Sequence, residues 1–510
     1  MTRRIDRRGF LHGTLGFAAA GMAATATGAA SDAAGAVGKA AGASAGTGAK
    51  RRDAARVAAG PAVPEAVDVV VIGAGLAGLN AARLLAESGA KVVVLEARDR
   101  VGGRVYSLRD VPGVAEAGAN TILGAYARTL DLCRSLGLPL LDLTPRREHD
   151  VMSLAIRGKV MLPGDWAASP LNPFDGPDRA LQPGSYAMAQ VKRHNPLREP
   201  GDWLDPVYSH YDVSMYEALR GWGASPAAIA IGHDTNVPYG SSSHEVSTLM
   251  MYFTERWFAR QRQASAAEVI VRGGNSGLPE AMAARLGDAV RCGAEVVGVE
   301  QDANGALVSC ADGRRFRAAQ VVVATPLPPL RRMAFAPALS PARLEAIARV
   351  PQMRITELHL VPRRRFWEDD GLGTSMWTDG VAGQINAQRN GEDPREVTSF
   401  LVWGRSHIAD YYDALGAEAA GRAVIAEIER LRPAARGALR LAGYKSWQLD
   451  PWSGGDWVVW RPGQIQRYHS VLSASEGRLH FAGEHTGRLE RGMEAALESG
   501  ERVALSILGA

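Results

Sequence analysis

Cysteine is scarce in this 510-residue chain. Cys133, Cys292 and Cys310 stand far apart, with no CxxC and no Cys/His cluster. That spacing argues against a disulfide framework or a zinc site, and the three thiols read as small buried apolar residues. No segment resembles a membrane-spanning helix, which needs about 20 strongly apolar residues. A basic body is also missing. Nine Lys/Arg and three acids fall in residues 1–60, so a net charge of +4 for the whole chain leaves residues 61–510 at −2. Nothing in that body favours nucleic acid. No internal repeat is evident. What is present, 46% hydrophobic and 22% charged residues, is an ordinary globular composition. At roughly 150 residues per domain the length allows two or three units.

The N-terminus reads as an address. Arg7-Arg8-Gly9-Phe10-Leu11 resembles the twin-arginine export motif, and a mildly apolar Ala/Gly stretch follows to Ala30 with small residues suited to cleavage. Residues 1–30 are therefore expected to be a twin-arginine signal peptide read by that export machinery, delivering a periplasmic or secreted protein. This route moves folded proteins, which suits a chain that must load a cofactor first. Residues 31–62, rich in Ala, Gly and Ser, bury too little apolar surface to order themselves and read as a flexible linker.

The folded body opens with Asp68-Val-Val-Val-Ile72, a buried-strand pattern. Gly73-Ala-Gly75-Leu-Ala-Gly78 leads into a helical stretch that ends at Gly89, and Lys91-Val-Val-Val-Leu95 is a second strand followed by Glu96. Gly73 permits the tight turn, Gly75 lets backbone approach a pyrophosphate, and Gly78 allows close helix–strand packing. The helix start offers free N–H groups to phosphate. Glu96, 18 residues after Gly78, is placed to accept hydrogen bonds from a ribose. Just beyond it, Gly102-Gly103 permit a second close approach, and Arg98 or Arg104 can neutralise phosphate charge.

Residues 68–104 resemble the FAD-binding start of the flavin monoamine oxidase family, and the similarity runs through most of residues 65–510. Ala117-Gly118-Ala119 is similar to the family's loop beside the flavin, and Arg272-Gly273-Gly274-Asn275 to its return to the FAD domain. Glu295-Val296-Val297 is similar to the strand whose backbone faces the adenine. Gly483-Glu484 and Gly492-Met493 resemble the late blocks. The resemblance implies that the Gly-Glu pair lies by the ribityl-phosphate and that Met493 begins a helix aimed at the flavin ring. Aligned N–H groups there would stabilise charge arriving with a hydride. By itself, 492–508 reads only as an amphipathic C-terminal helix.

Three positions depart from the family. Asp456 stands where some relatives hold a cysteine bonded to the flavin, so noncovalent FAD is expected. Trp457 matches one aromatic wall of the substrate cage, but Gly492 stands at the other, implying an open side and a bulkier substrate. Glu357 takes the place of a lysine that aids reaction with oxygen, and no lysine occurs between Lys192 and Lys445. A carboxylate there would repel developing superoxide, or could hold a substrate ammonium. Slow oxidation by air, with a periplasmic cytochrome or quinone as acceptor in place of oxygen, follows as an expectation.

The fold class expected is α/β, a Rossmann-like FAD-binding domain interleaved with an α+β substrate domain. The first draws on residues 65–145, 270–340 and 450–510; the second on 146–269 and 341–449. Trp166, Tyr186, Tyr208, Tyr211 and Trp257 could line a pocket or pack a core. The activity implied is oxidation of a small amine at its C–N bond to an imine, which water hydrolyses to an aldehyde or ketone. An amino-acid oxidase is the alternative. It would need an arginine for the substrate carboxylate, with Arg354, Arg488 and Arg491 as candidates. A flavin enzyme acting on C–C bonds and a non-enzymatic flavoprotein stay open.

Overall fold

The computed structural model describes residues 64–147 and 150–509. The expected signal peptide and linker lie outside the described residues. Strand β1 (Glu65–Ile72), helix α1 (Leu76–Glu87) and strand β2 (Val92–Leu95) open the body. Val69, Val70 and Val71 of β1 and the valines of β2 are buried, as expected for a central parallel strand covered on both faces. β1 lies between β2 and strand Arg315–Val323, parallel to both, and Val290–Arg291 extends the sheet past β2. Beyond Arg315–Val323 the sheet turns antiparallel through Gly305–Cys310 and Val296–Asp302. Leu479–Phe481 adds a parallel strand late in the chain. Helix Gly492–Leu508 packs along α1. The two backbones approach so closely that a Cβ on Gly500 would lie 2.3 Å from the Ala77 carbonyl oxygen.

A second sheet runs in the order Leu439–Ser446, Ile355–Pro362, Ser399–Arg405, Gln384–Gln388, Ser375–Thr378, Met152–Ile156, Lys159–Met161. Successive strand side chains point to opposite faces, and here each face has its own partner. Leu358, Leu360, Phe400 and Val402 pack with Tyr412, Val424 and Ile428, which lie on helices His407–Leu415 and Ala417–Leu431. The alternate residues Leu401 and Trp403, with Trp377 and Trp447, join the core shared with the first sheet. Glu357 sits opposite Trp403 and His359 opposite Leu401, so both polar residues turn toward that shared interior.

Helix Thr248–Ala264 starts at Ser247, whose hydroxyl accepts from the Met250 N–H, and it carries Phe253, Trp257 and Phe258 inward. Among the described residues no helix is long and apolar enough to cross a membrane. Cys133 and Cys310 are buried, but Cys292 is exposed, so the expectation of three buried thiols fails at that position.

Candidate functional site

One cavity runs from the β1–α1 turn to the start of helix Gly492–Leu508. Gly73, with φ of 102°, makes a turn that β-carbon residues rarely adopt. Gly75 and Gly103 face each other across the cavity wall. A Cβ on Gly75 would meet nothing within 4 Å, and one on Gly103 would meet only Gly75. Gly78 does not line the cavity; it lets α1 lie on the strand, since a Cβ there would sit 2.0 Å from the Gly73 carbonyl oxygen. Glu96 is buried and anchors the turn by accepting from the Ala74 N–H at 2.9 Å and the Arg98 N–H at 3.0 Å. Each of its oxygens keeps a further lone pair for a hydroxyl.

The arginines after Glu96 have distinct tasks. Arg98 donates to Asp450 at 2.6 Å and to Ser453 at 2.9 Å, so much of its charge is already matched. Arg104 donates to the Asp456 carbonyl and lies 3.4 Å from Glu484, which ties the first glycine block to the late ones. Arg100 holds the Gly102-Gly103 loop by donating to the carbonyls of Val101 and Gly103. Gly118 and Ala119 line the same cavity. The space for Gly118 is set by backbone, since a Cβ would lie 2.1 Å from the Arg104 carbonyl oxygen. Gly483, Glu484 and Met493 also line it, and the Gly483 N–H donates to Ser499 at 2.8 Å. Val297 does not. Its side chain is 39% exposed, while Val296 and Ala294 form the wall. A register irregularity falls between Val296 and Gly298, and what was expected to face the adenine along this strand is its backbone.

At the other end the wall is aromatic. Trp457 faces Tyr239 with ring centroids 5.7 Å apart, and Tyr126, Trp257, Phe258 and Trp403 complete the wall. At Gly492, where an open side was expected, Tyr126 is the neighbouring ring. Gly492 itself has φ of 58°, and a Cβ there would come 3.5 Å from the Tyr126 hydroxyl. Of the five aromatic residues considered between 150 and 270, only Trp257 lines the cavity; Trp166 and Tyr186 are buried in the core. Trp257 donates to Glu490 at 2.7 Å, which fixes the ring.

Glu357 also lines the cavity and is 2% exposed. Its Oε1 accepts from the Trp403 indole at 2.6 Å, while among the described residues Oε2 has no hydrogen-bond partner. Burial, with Asp456 and Glu116 nearby, holds its carboxyl well above the usual carboxylate range. Burial pushes Asp456 up to about 6 and Glu116 up to about 7. Glu357 is thus biased toward its protonated, uncharged form, which weakens the repulsion expected from a carboxylate. His359 lies behind it, 3.9 Å away, and burial pushes its imidazole down to about 4.

The sequence profile of the flavin containing amine oxidoreductases matches residues 76–508. The chain belongs to that family. It is similar to the flavin-containing amine oxidase of Oncorhynchus mykiss, with 28% identity over 86% of this chain and 85% of that protein. It is also similar to the L-amino-acid oxidase BmooLAAO-I of Bothrops moojeni, with 26% identity over 86% of this chain and 89% of that protein. Two solved structures share its fold. Wild-type putrescine oxidase bound to putrescine superposes with a TM-score of 0.70 at 23% identity, covering 88% of this chain and 100% of that one. Cyclohexylamine oxidase from Brevibacterium oxydans IH-35A gives 0.70 at 22% identity, covering 87% and 99%.

As a flavin-containing amine oxidoreductase, the protein needs room for the cofactor's phosphates and for its ring. The residues fit both. Cβ-free positions open onto the cavity at Gly75 and Gly103, the buried Glu96 keeps acceptor capacity, and a 17-residue helix begins at the far wall. Sequence reasoning missed Tyr239, Trp403 and Tyr126 in this amine oxidoreductase. Trp403 was legible only as one residue of an apolar strand, and neither tyrosine carries a motif.

Proposed function

We propose that this protein oxidises the C–N bond of a small amine to an imine, using noncovalently bound FAD, after export by the twin-arginine route to the periplasm or medium. When bound, the flavin supplies the hydride acceptor. Gly73, Gly75 and Gly103 would hold the pyrophosphate, Glu96 the ribose, and the first turn of helix Gly492–Leu508 the ring edge where negative charge collects. Trp457, Tyr239 and Trp403 orient the amine through their faces and keep water away from the reacting carbon. The nitrogen lone pair must assist hydride loss, so the substrate must react as the neutral amine. Turnover therefore falls as pH drops below the bound amine's pKa. The imine is then hydrolysed to an aldehyde or ketone.

The observation that carries this reading is the continuity of one cavity from the glycine turns to an aromatic end. Noncovalent attachment is supported by the side chain at Asp456 and by the cavity wall, in which none of the three cysteines takes part. Anaerobic mixing of the yellow holoprotein with a panel of amines is the test. Bleaching by amines supports the proposal; bleaching only by polyenes or porphyrinogens, or by nothing, rejects it. Acid precipitation should leave a colourless pellet, and yellow polypeptide would reject noncovalent binding.

A further inference from the structure

Aromatic rings are only part of the cavity lining. Strand Gln384–Gln388 of the second sheet brings amides to it. Gln384, Asn386 and Gln388 lie at alternate positions and so share one face. That face is the inward one, since Gln384 sits opposite Trp403, Asn386 opposite Leu401 and Gln388 opposite Ser399. Asn386, Gln388, Leu401 and Trp403 all line the cavity. Four strand steps carry the row about 13 Å away from the level of Trp403.

The row is polar without being charged, and its hydrogen bonding is incomplete. Asn386 Oδ1 accepts from Gln384 Nε2 at 2.8 Å. Among the described residues, Gln384 Oε1, Asn386 Nδ2 and Ser399 Oγ have no hydrogen-bond partner, although Gln384 is 1% exposed and Ser399 fully buried. Gln388 Nε2 reaches the Asn386 carbonyl only at 3.5 Å, and its Oε1 accepts nothing. Buried polar atoms left unpaired in one place call for a partner that the fold itself does not supply. The charged residues that line the cavity beside Thr121 are matched to each other: Arg147 pairs with Glu268 at 2.7 Å and donates to Thr121 at 3.4 Å.

We propose that Asn386 and Gln388 form a subsite for an uncharged hydrogen-bonding group, and that the substrate is an amine bearing a hydroxyl or amide at the end remote from its nitrogen. This rests on the amine-oxidising reading above. The nitrogen end stays with the rings of Trp457 and Tyr239. A side-chain amide offers both a donor and an acceptor, and a hydroxyl can use either. A second ammonium would give up its hydration for dipoles alone, because Glu268 is already paired with Arg147. An alkyl end would bury the amides without partners.

The test uses full-length holoenzyme and matched pairs of two lengths: 5-aminopentan-1-ol against hexylamine, and 8-aminooctan-1-ol against nonylamine. In at least one pair the amino alcohol should reduce wild-type flavin at the lower half-saturating concentration. Gln388→Leu should cut that preference by roughly 5- to 30-fold. Gln388→Glu should instead shift preference toward 1,8-diaminooctane, which wild type uses less well than the amino alcohol. The proposal is overturned if alkylamines match or surpass amino alcohols in both pairs, if Gln388→Leu slows both members of a pair alike, or if the diamine is the better substrate of wild type. If no compound reduces the flavin, the amine-oxidising reading falls and octan-1-ol decides the subsite alone. It should perturb the visible flavin spectrum of wild type at lower concentration than that of Gln388→Leu, and equal concentrations would overturn the assignment.

Discussion

Replacing Glu357 with Gln separates a neutral acid from a carboxylate in the cavity wall. Glutamine has the same shape and can still accept from the Trp403 indole, a bond of 2.6 Å in the native protein. If the native carboxyl carries its proton, Glu357→Gln should be close to neutral for stability near pH 5. The sign at higher pH follows from linkage. The folded carboxyl titrates above its unfolded value, so the stability it contributes is present in full below about pH 4.5 and is lost as pH rises toward the folded pKa. Within that window the wild type loses about 1.4 kcal/mol per pH unit relative to the glutamine variant. The difference should therefore widen as pH rises from 5 until the folded pKa is reached. Glu357→Leu leaves the buried indole N–H without an acceptor and should cost about 1–3 kcal/mol at every pH. Denaturant midpoints of the three proteins at pH 5, 6 and 7 decide the matter. Parallel wild-type and glutamine curves would show that Glu357 is ionised throughout and would refute the argument.

Gly78→Ala should lose about 1–3 kcal/mol despite a helix-propensity gain of about 1 kcal/mol, because its Cβ would meet backbone at 2.0 Å; full flavin content after gel filtration at unchanged stability would contradict this. Trp457→Ala should lower kcat/KM for the best amine by about tenfold or more, and unchanged kinetics would remove Trp457 from the site. His359 is buried with its pKa down at about 4, so the stability it contributes is present above about pH 6.5 and is lost as pH falls from there toward 4. His359→Phe should escape that loss, up to about 1.4 kcal/mol per pH unit, and a parallel acid profile would refute it. Reoxidation of the reduced flavin by air should be slow, because Lys445, which lies opposite Glu357 in the strand register, is bound to Asp450 and is not in the cavity wall; rapid stopped-flow reoxidation would overturn this.

The nucleotide end was legible in the sequence because each of its features is local. Glycines at 73, 75 and 78 and the acid at 96 lie within one strand–helix–strand unit, where backbone geometry dictates residue type over short distances. The substrate end was decided by tertiary structure. Trp457 and Gly492 were readable only by resemblance, and the aromatic lining of the cavity joins Tyr126, Tyr239, Trp257 and Trp403 from four separate stretches of chain. Nothing in the spacing of those residues marks them, since an aromatic side chain in an apolar run serves a core equally well. The state of Glu357 was hidden for a related reason. Sequence places a carboxyl at that position, but whether it carries charge depends on the water and the neighbouring acids that folding removes or brings near.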